Sequence, residues 1–170
     1  MPSGRLASWF ASMVQKLKIY IETSVVRAYH DTRFLQRLRE TRRFWSKLPR
    51  YHVIISDVVV DHLIQEYESY TGPARAALEL LKDFETVVFD AEASRLAMAY
   101  IRKQVFREDP VRTAVHMAMA SAQSAHYVLS WYYGARLDAI TQDRIGFINF
   151  ENGFSPIRVV LPSTLIGGPK

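Results

Sequence analysis

Five short runs of β-branched and aromatic residues punctuate this chain, separated by longer stretches of helical period. The runs are Lys-Ile-Tyr-Ile at 18–21, His-Val-Ile-Ile-Ser at 52–56, Thr-Val-Val-Phe at 86–89, His-Tyr-Val-Leu-Ser at 126–130 and Ile-Arg-Val-Val-Leu at 157–161. Apolar and polar positions hardly alternate within them, which is the pattern of strands covered on both faces. The stretch 31–48 repeats apolar residues at Phe34, Leu35, Leu38, Phe44 and Trp45, as one face of a helix does. A second helix is expected over 57–70, with Ser56 as its N-cap, and a third over 73–84, opened by Pro73. Three more follow over 91–106, 110–123 and 136–153, the last closing on Gly153.

Strands that alternate with helices require right-handed crossovers, and hence a mostly parallel five-stranded sheet in a three-layer α/β/α domain. Ligands of such sheets bind outside the carboxyl ends of the strands, near a topological switch point. The residues to inspect therefore follow each strand: Glu22-Thr23-Ser24, Asp57 to His62, Asp90, and Trp131-Tyr132-Tyr133.

Composition narrows the function classes. A chain of 170 residues is read as one domain over 16–166, with an N-terminal extension at 1–15 and a short disordered tail at 167–170. The extension makes a poor secretion signal, because Ser8, Ser12 and Gln15 break its apolar run; a short amphipathic helix is expected there. No apolar run approaches the ~20 residues of a membrane span, and a cytoplasmic location is expected. With no cysteine there is no disulfide, zinc–thiolate site or thiol nucleophile. The net charge of +5 points to an anionic partner, nucleic acid first.

The stretch Ile-Tyr-Ile-Glu-Thr-Ser-Val-Val-Arg-Ala-Tyr at 19–29 resembles the first motif of PIN-domain proteins, the VapC-type toxin ribonucleases and their relatives. The remaining motifs follow in order. Residues 51–63 resemble the second PIN strand and helix, and 110–120 the helix that carries an Asp three residues before a His. Residues 127–133 resemble the strand ending in Ser/Thr-Trp-Asn, and 152–166 the closing strand and its tail. The resemblance implies an acidic cluster at the strand ends holding Mg²⁺ or Mn²⁺, which activates water to cut RNA. The chemistry needs that cluster, because hard cations take several oxygen ligands before they polarise a phosphate.

Carried over position by position, the cluster is largely missing. Glu22 fills the first acidic place, with Thr23 and Ser24 matching the motif. The second place falls on His62, and Asp61, one residue earlier, is rotated ~100° away on a helix. The third place is Thr113 and the fourth Tyr132. Glu22 is the one acid in register; a weak metal site from Glu22 and Asp61, or with His62, is the alternative kept open. Asp109 is expected to cap the helix that follows it with its carboxylate, and His116 to be a structural histidine. Tyr132 and Tyr133 would plug the old pocket or offer stacking faces to unpaired bases.

The segment 33–50 carries seven basic residues against Glu40, and Arg37, Arg42 and Arg43 are its nucleic-acid-binding candidates. Its aromatics, Phe34 and Trp45, and Leu38 are expected to turn inward. The resulting expectation is a PIN-like protein with a degenerate site that binds RNA or an antitoxin-like protein partner, with Mg²⁺ or Mn²⁺ held weakly or not at all. The alternative is a divergent, active metal-dependent endoribonuclease. Family habit and the apolar positions of 31–48 and 57–70 imply a homodimer.

Overall fold

The computed structural model describes residues 16–69 and 73–167. The helix expected within 1–15 and the tail beyond Gly167 lie outside the described residues. Strands β1 (Lys18–Ile21), β2 (His52–Ser56), β3 (Glu85–Val87), β4 (Tyr127–Leu129) and β5 (Arg158–Val160) form one sheet in the order β3-β2-β1-β4-β5. Every neighbouring pair is parallel. Ile19 stands beside Val53 on one side and Tyr127 on the other, and Val128 stands beside Val159.

Among the described residues seven helices connect the strands: α1 (Thr23–Ala28), α2 (Leu35–Trp45), α3 (Asp57–Ser69), α4 (Pro73–Leu80), α5 (Ala91–Arg102), α6 (Pro110–Ala122) and α7 (Ala139–Glu151). Ile19, Tyr20 and Ile21 are all fully buried. Successive strand residues point to opposite faces, so both faces of β1 are covered and the α/β/α layering follows. The chain lays β2 and β3 on one side of β1, then returns to place β4 on the other. The direction of winding therefore switches between β1 and β4, and their carboxyl ends open onto one crevice.

Local chemistry explains where helices depart from the sequence pattern. The first helix after β1 is a separate six-residue element, α1. The next begins at Leu35, not at residue 31, because the Asp31 carboxylate takes the backbone N–H of Arg33 (3.1 Å) and its Nε (2.8 Å) and holds a turn. That turn leaves Phe34 exposed, contrary to the inward placement expected of it, while Leu38 and Phe44 are buried. Helix α5 stops at Arg102, four residues short of the pattern, and buries Val105 and Phe106 from the loop beyond Gln104, which has a left-handed backbone (φ 51°). Ser56 caps α3 as expected, accepting the Val59 N–H at 3.3 Å. Gly153, past the end of α7, takes φ +80° and donates to the Phe150 carbonyl.

Candidate functional site

Glu22 follows β1 at the switch point and is only 5% exposed. It is the N-cap of α1, and its Oε2 accepts three hydrogen bonds: from Ser24 N–H (3.1 Å), Ser24 Oγ (2.5 Å) and Ser130 Oγ (2.8 Å). Ser130 ends β4, and its hydroxyl also accepts the N–H groups of Tyr132 (3.1 Å) and Tyr133 (2.9 Å). The Trp131 N–H donates to Ser24 Oγ at 2.9 Å. The in-register acid thus bolts the β1 end to the β4 end. Nothing in residues 22–24 alone announces this bond to a serine 108 positions away.

Beneath it lies a chain of buried hydroxyls and imidazole. Tyr20 on β1 bonds Ser56 Oγ (2.7 Å) and His116 Nδ1 (2.8 Å). His116 is fully buried on α6, and its Nε2 and the Thr23 hydroxyl have no hydrogen-bond partner among the described residues. The His62 ring meets His116 edge-on, with centroids 5.7 Å apart. Burial first, and the Arg112 guanidinium second, hold the His62 imidazole below its ordinary value against the opposing pull of Glu22. Asp61 is exposed on α3.

The third and fourth places are filled and tied. Thr113 is 1% exposed, and its hydroxyl donates to the carbonyls of Asp109 (2.8 Å) and Glu108 (3.3 Å). The two tyrosines after Trp131 differ in burial. Tyr133 is buried, its ring 6.0 Å from His116 and its hydroxyl near that of Thr113, so it fills the crevice. Tyr132 is at the mouth, its ring 4.9 Å from that of Tyr133 and stacked under the Arg136 guanidinium at 4.0 Å. Asp109 corrects the sequence reading. It occupies the N-cap position of α6, but a left-handed backbone (φ 42°, ψ 59°) turns its carboxylate from the helix N–H groups, and that carboxylate pairs with Arg112 at 3.2 Å.

Around the mouth, Arg37 spans the rings of Phe34 (5.0 Å) and Trp131 (5.6 Å), and Trp131 Nε1 donates to Thr41 on α2 at 2.9 Å. Of the three arginines expected to bind nucleic acid, only Arg37 is tied to the crevice in this way. Arg42 donates to the Tyr29 carbonyl and lies over the Tyr29 ring, and Arg43 is exposed. Arg112 and Arg136 join the mouth as well: Arg112 pairs with Asp109 three residues before it, and Arg136 reaches Glu108 on another segment at 2.8 Å.

The buried histidine has a measurable consequence. Burial depresses His116 from 6.5 to about 4, with Glu22, His62, Arg112 and Asp109 acting on it. Between those values the unfolded chain binds a proton that the folded chain refuses, so stability falls as pH falls through this window, by roughly 3 kcal/mol in all. Denaturation at pH 7.5 and pH 4.5 should show that loss, and His116→Asn should remove much of it. An equal loss in the variant would assign the pH dependence elsewhere.

A hard divalent cation needs several free oxygen ligands. Oε2 of the single in-register carboxylate already accepts three donors, Thr113 donates to carbonyls, and the second place holds an imidazole. Among the described residues no three His, Asp or Glu side chains form a group that could hold a metal ion. No helix among them is long and apolar enough to cross a membrane.

The sequence matches no protein-family model and no curated protein. The fold, in contrast, is similar to solved structures. One is VapBC2 of Rickettsia felis bound to a DNA fragment from its promoter, with a TM-score of 0.54 and 13% identity over 85% of this chain and 98% of that one. Another is VapC20 of Mycobacterium tuberculosis, a sarcin–ricin loop cleaving toxin, with 0.56 and 18% over 74% and 94%. A third is FitAcB of Neisseria gonorrhoeae, with 0.55 and 15% over 85% and 97%. Five parallel strands in this order, the crevice between β1 and β4, and these likenesses together give the chain a VapC-like PIN-domain fold.

Proposed function

We propose that this protein uses a PIN-type scaffold to bind single-stranded RNA without cutting it. The observation that carries the reading is a pair of adjacent aromatic residues at the crevice mouth, each faced by an arginine: Trp131 under Arg37 and Tyr132 under Arg136. Aromatic faces interleaved with guanidinium groups stack unpaired bases and neutralise the phosphates between them. The net charge of +5 supports an anionic partner. The nuclease places, meanwhile, hold groups committed to internal contacts.

The test is fluorescence anisotropy of labelled single-stranded and duplex RNA across a salt series. Single strands should bind more tightly, because a duplex offers no base faces. The double variant Arg37→Gln, Arg136→Gln should lose about tenfold in affinity and flatten the slope of log affinity against log salt by about 1.4, at ~0.7 per phosphate contact. Equal binding of single strands by the variant and the parent refutes the reading. An antitoxin-like protein as the main ligand would then be the better account of the mouth.

A further inference from the structure

A cavity of about 360 Å³ lies beside the crevice, between the loop after α5, the loop after β4 and the start of α7. Its lining includes Arg107, Arg136, Arg144 and Tyr132. Two acids share the wall, and both have partners. Glu108 accepts Arg136 Nη1 at 2.8 Å, and Asp138 caps α7 by accepting the Thr141 N–H at 2.8 Å. Arg144 spends Nη2 on the carbonyls of Lys103 and Gln104. Arg107 makes no hydrogen bond or ion pair among the described residues, although it lines the cavity and is near enough to Asp138 to act on its charge. The cavity therefore presents one uncommitted cation and a second one partly free, next to an aromatic wall and the apolar Ile140 and Leu137.

We propose that this cavity receives one nucleotide, its phosphate on Arg107 and Arg144 and its base against Tyr132 and the apolar wall. The volume falls within the range of small-ligand pockets and is too large to be filled by a phosphate alone. A phosphate oxygen offers a planar guanidinium the charge-assisted bonds that Arg107 lacks. The proposal extends the RNA reading, since a nucleotide of a bound strand and a free mononucleotide present the same chemistry. It shares Tyr132 with the stacks at the mouth and adds Arg107 and Arg144, which those stacks do not use.

Calorimetric titration of the whole protein with AMP, adenosine and inorganic phosphate tests it. AMP should bind saturably, and adenosine and inorganic phosphate each at least about tenfold more weakly. Arg107→Gln should weaken AMP about tenfold while its melting temperature stays that of the parent, because the side chain is exposed and makes no internal bond. Displacement of labelled single-stranded RNA by AMP would assign the cavity to the strand; simultaneous binding of both would assign it to a free nucleotide. The proposal fails if AMP does not bind at millimolar concentration, if phosphate binds as well as AMP, or if Arg107→Gln binds AMP like the parent. Failure here with RNA binding intact leaves the RNA reading standing. AMP binding without RNA binding overturns that reading alone.

Discussion

Gly134→Ala should destabilise the protein by about 3 kcal/mol or more. A Cβ at this position would lie 2.5 Å from the Ser130 carbonyl oxygen, 2.9 Å from the Val160 carbonyl carbon and 3.0 Å from the Leu161 nitrogen. All three are backbone atoms, so no side chain can swing aside. The turn at 130–134 lies flat on the end of β5, closed by the Gly134 N–H on the Ser130 carbonyl at 3.2 Å. Relief requires moving either that turn or β5. Moving the turn drags Ser130 from Glu22, so RNA affinity should fall together with stability. Thermal unfolding should show a fall on the order of 6–12 °C, using 2–4 °C per kcal/mol for a chain of this size. Gly146→Ala is the matched control with the opposite sign. It sits within α7, its added Cβ meets only Pro156 at 3.9 Å, and alanine should stabilise the helix by ~0.5–1 kcal/mol. A Gly134→Ala variant as stable as the parent would mean that the turn is not packed against β5 as described.

The strands were legible in the sequence to within about one residue at most ends because their burial is two-sided. Runs such as 18–21 and 52–56 have few alternative readings, and both agree with the structure end for end. Four helix starts, at 57, 73, 91 and 110, also agree, and the departures are local. At residue 31 an aspartate that reads as a helix opener instead bonds Arg33 two residues on, and at Asp109 the left-handed backbone reverses what an N-cap carboxylate does. The site divides in the same way. The positions facing one crevice followed from motif order, since the strand ends place residues 22 and 130–133 together, and α6 brings Thr113 to Tyr133. Their roles did not follow. Oε2 of Glu22 is spent on two serines, one of them 108 residues away, and no local pattern encodes such a contact. The Tyr20–Ser56–His116 chain had a readable clue: a tyrosine inside a fully buried strand must find a partner for its hydroxyl.

RNA incubated with this protein and either Mg²⁺ or Mn²⁺ should stay intact at the level of a protein-free control. Cleavage needs a cation that keeps open positions for water and phosphate while several carboxylate oxygens hold it. Here Oε2 of the one in-register carboxylate is occupied by Ser24 and Ser130, and Tyr133 fills the space beside Thr113. The reciprocal experiment rebuilds the acids as His62→Glu, Thr113→Asp and Tyr132→Asn. Thr113 is 1% exposed, so without metal the new carboxylate faces burial near Glu22, and the apo variant should be less stable than the parent by roughly 1–3 kcal/mol. Mn²⁺ should return that stability by binding the folded state, which appears as a melting temperature that rises with Mn²⁺ in the variant and not in the parent. Metal affinity should rise at least about tenfold. Turnover should recover only partly, because Ser24 and Ser130 still hold Oε2 of the first carboxylate. Robust Mn²⁺-dependent cleavage by the parent, abolished in Glu22→Gln, would instead establish a living site in which Glu22 recruits Asp61 or His62, and the protein would be a divergent ribonuclease.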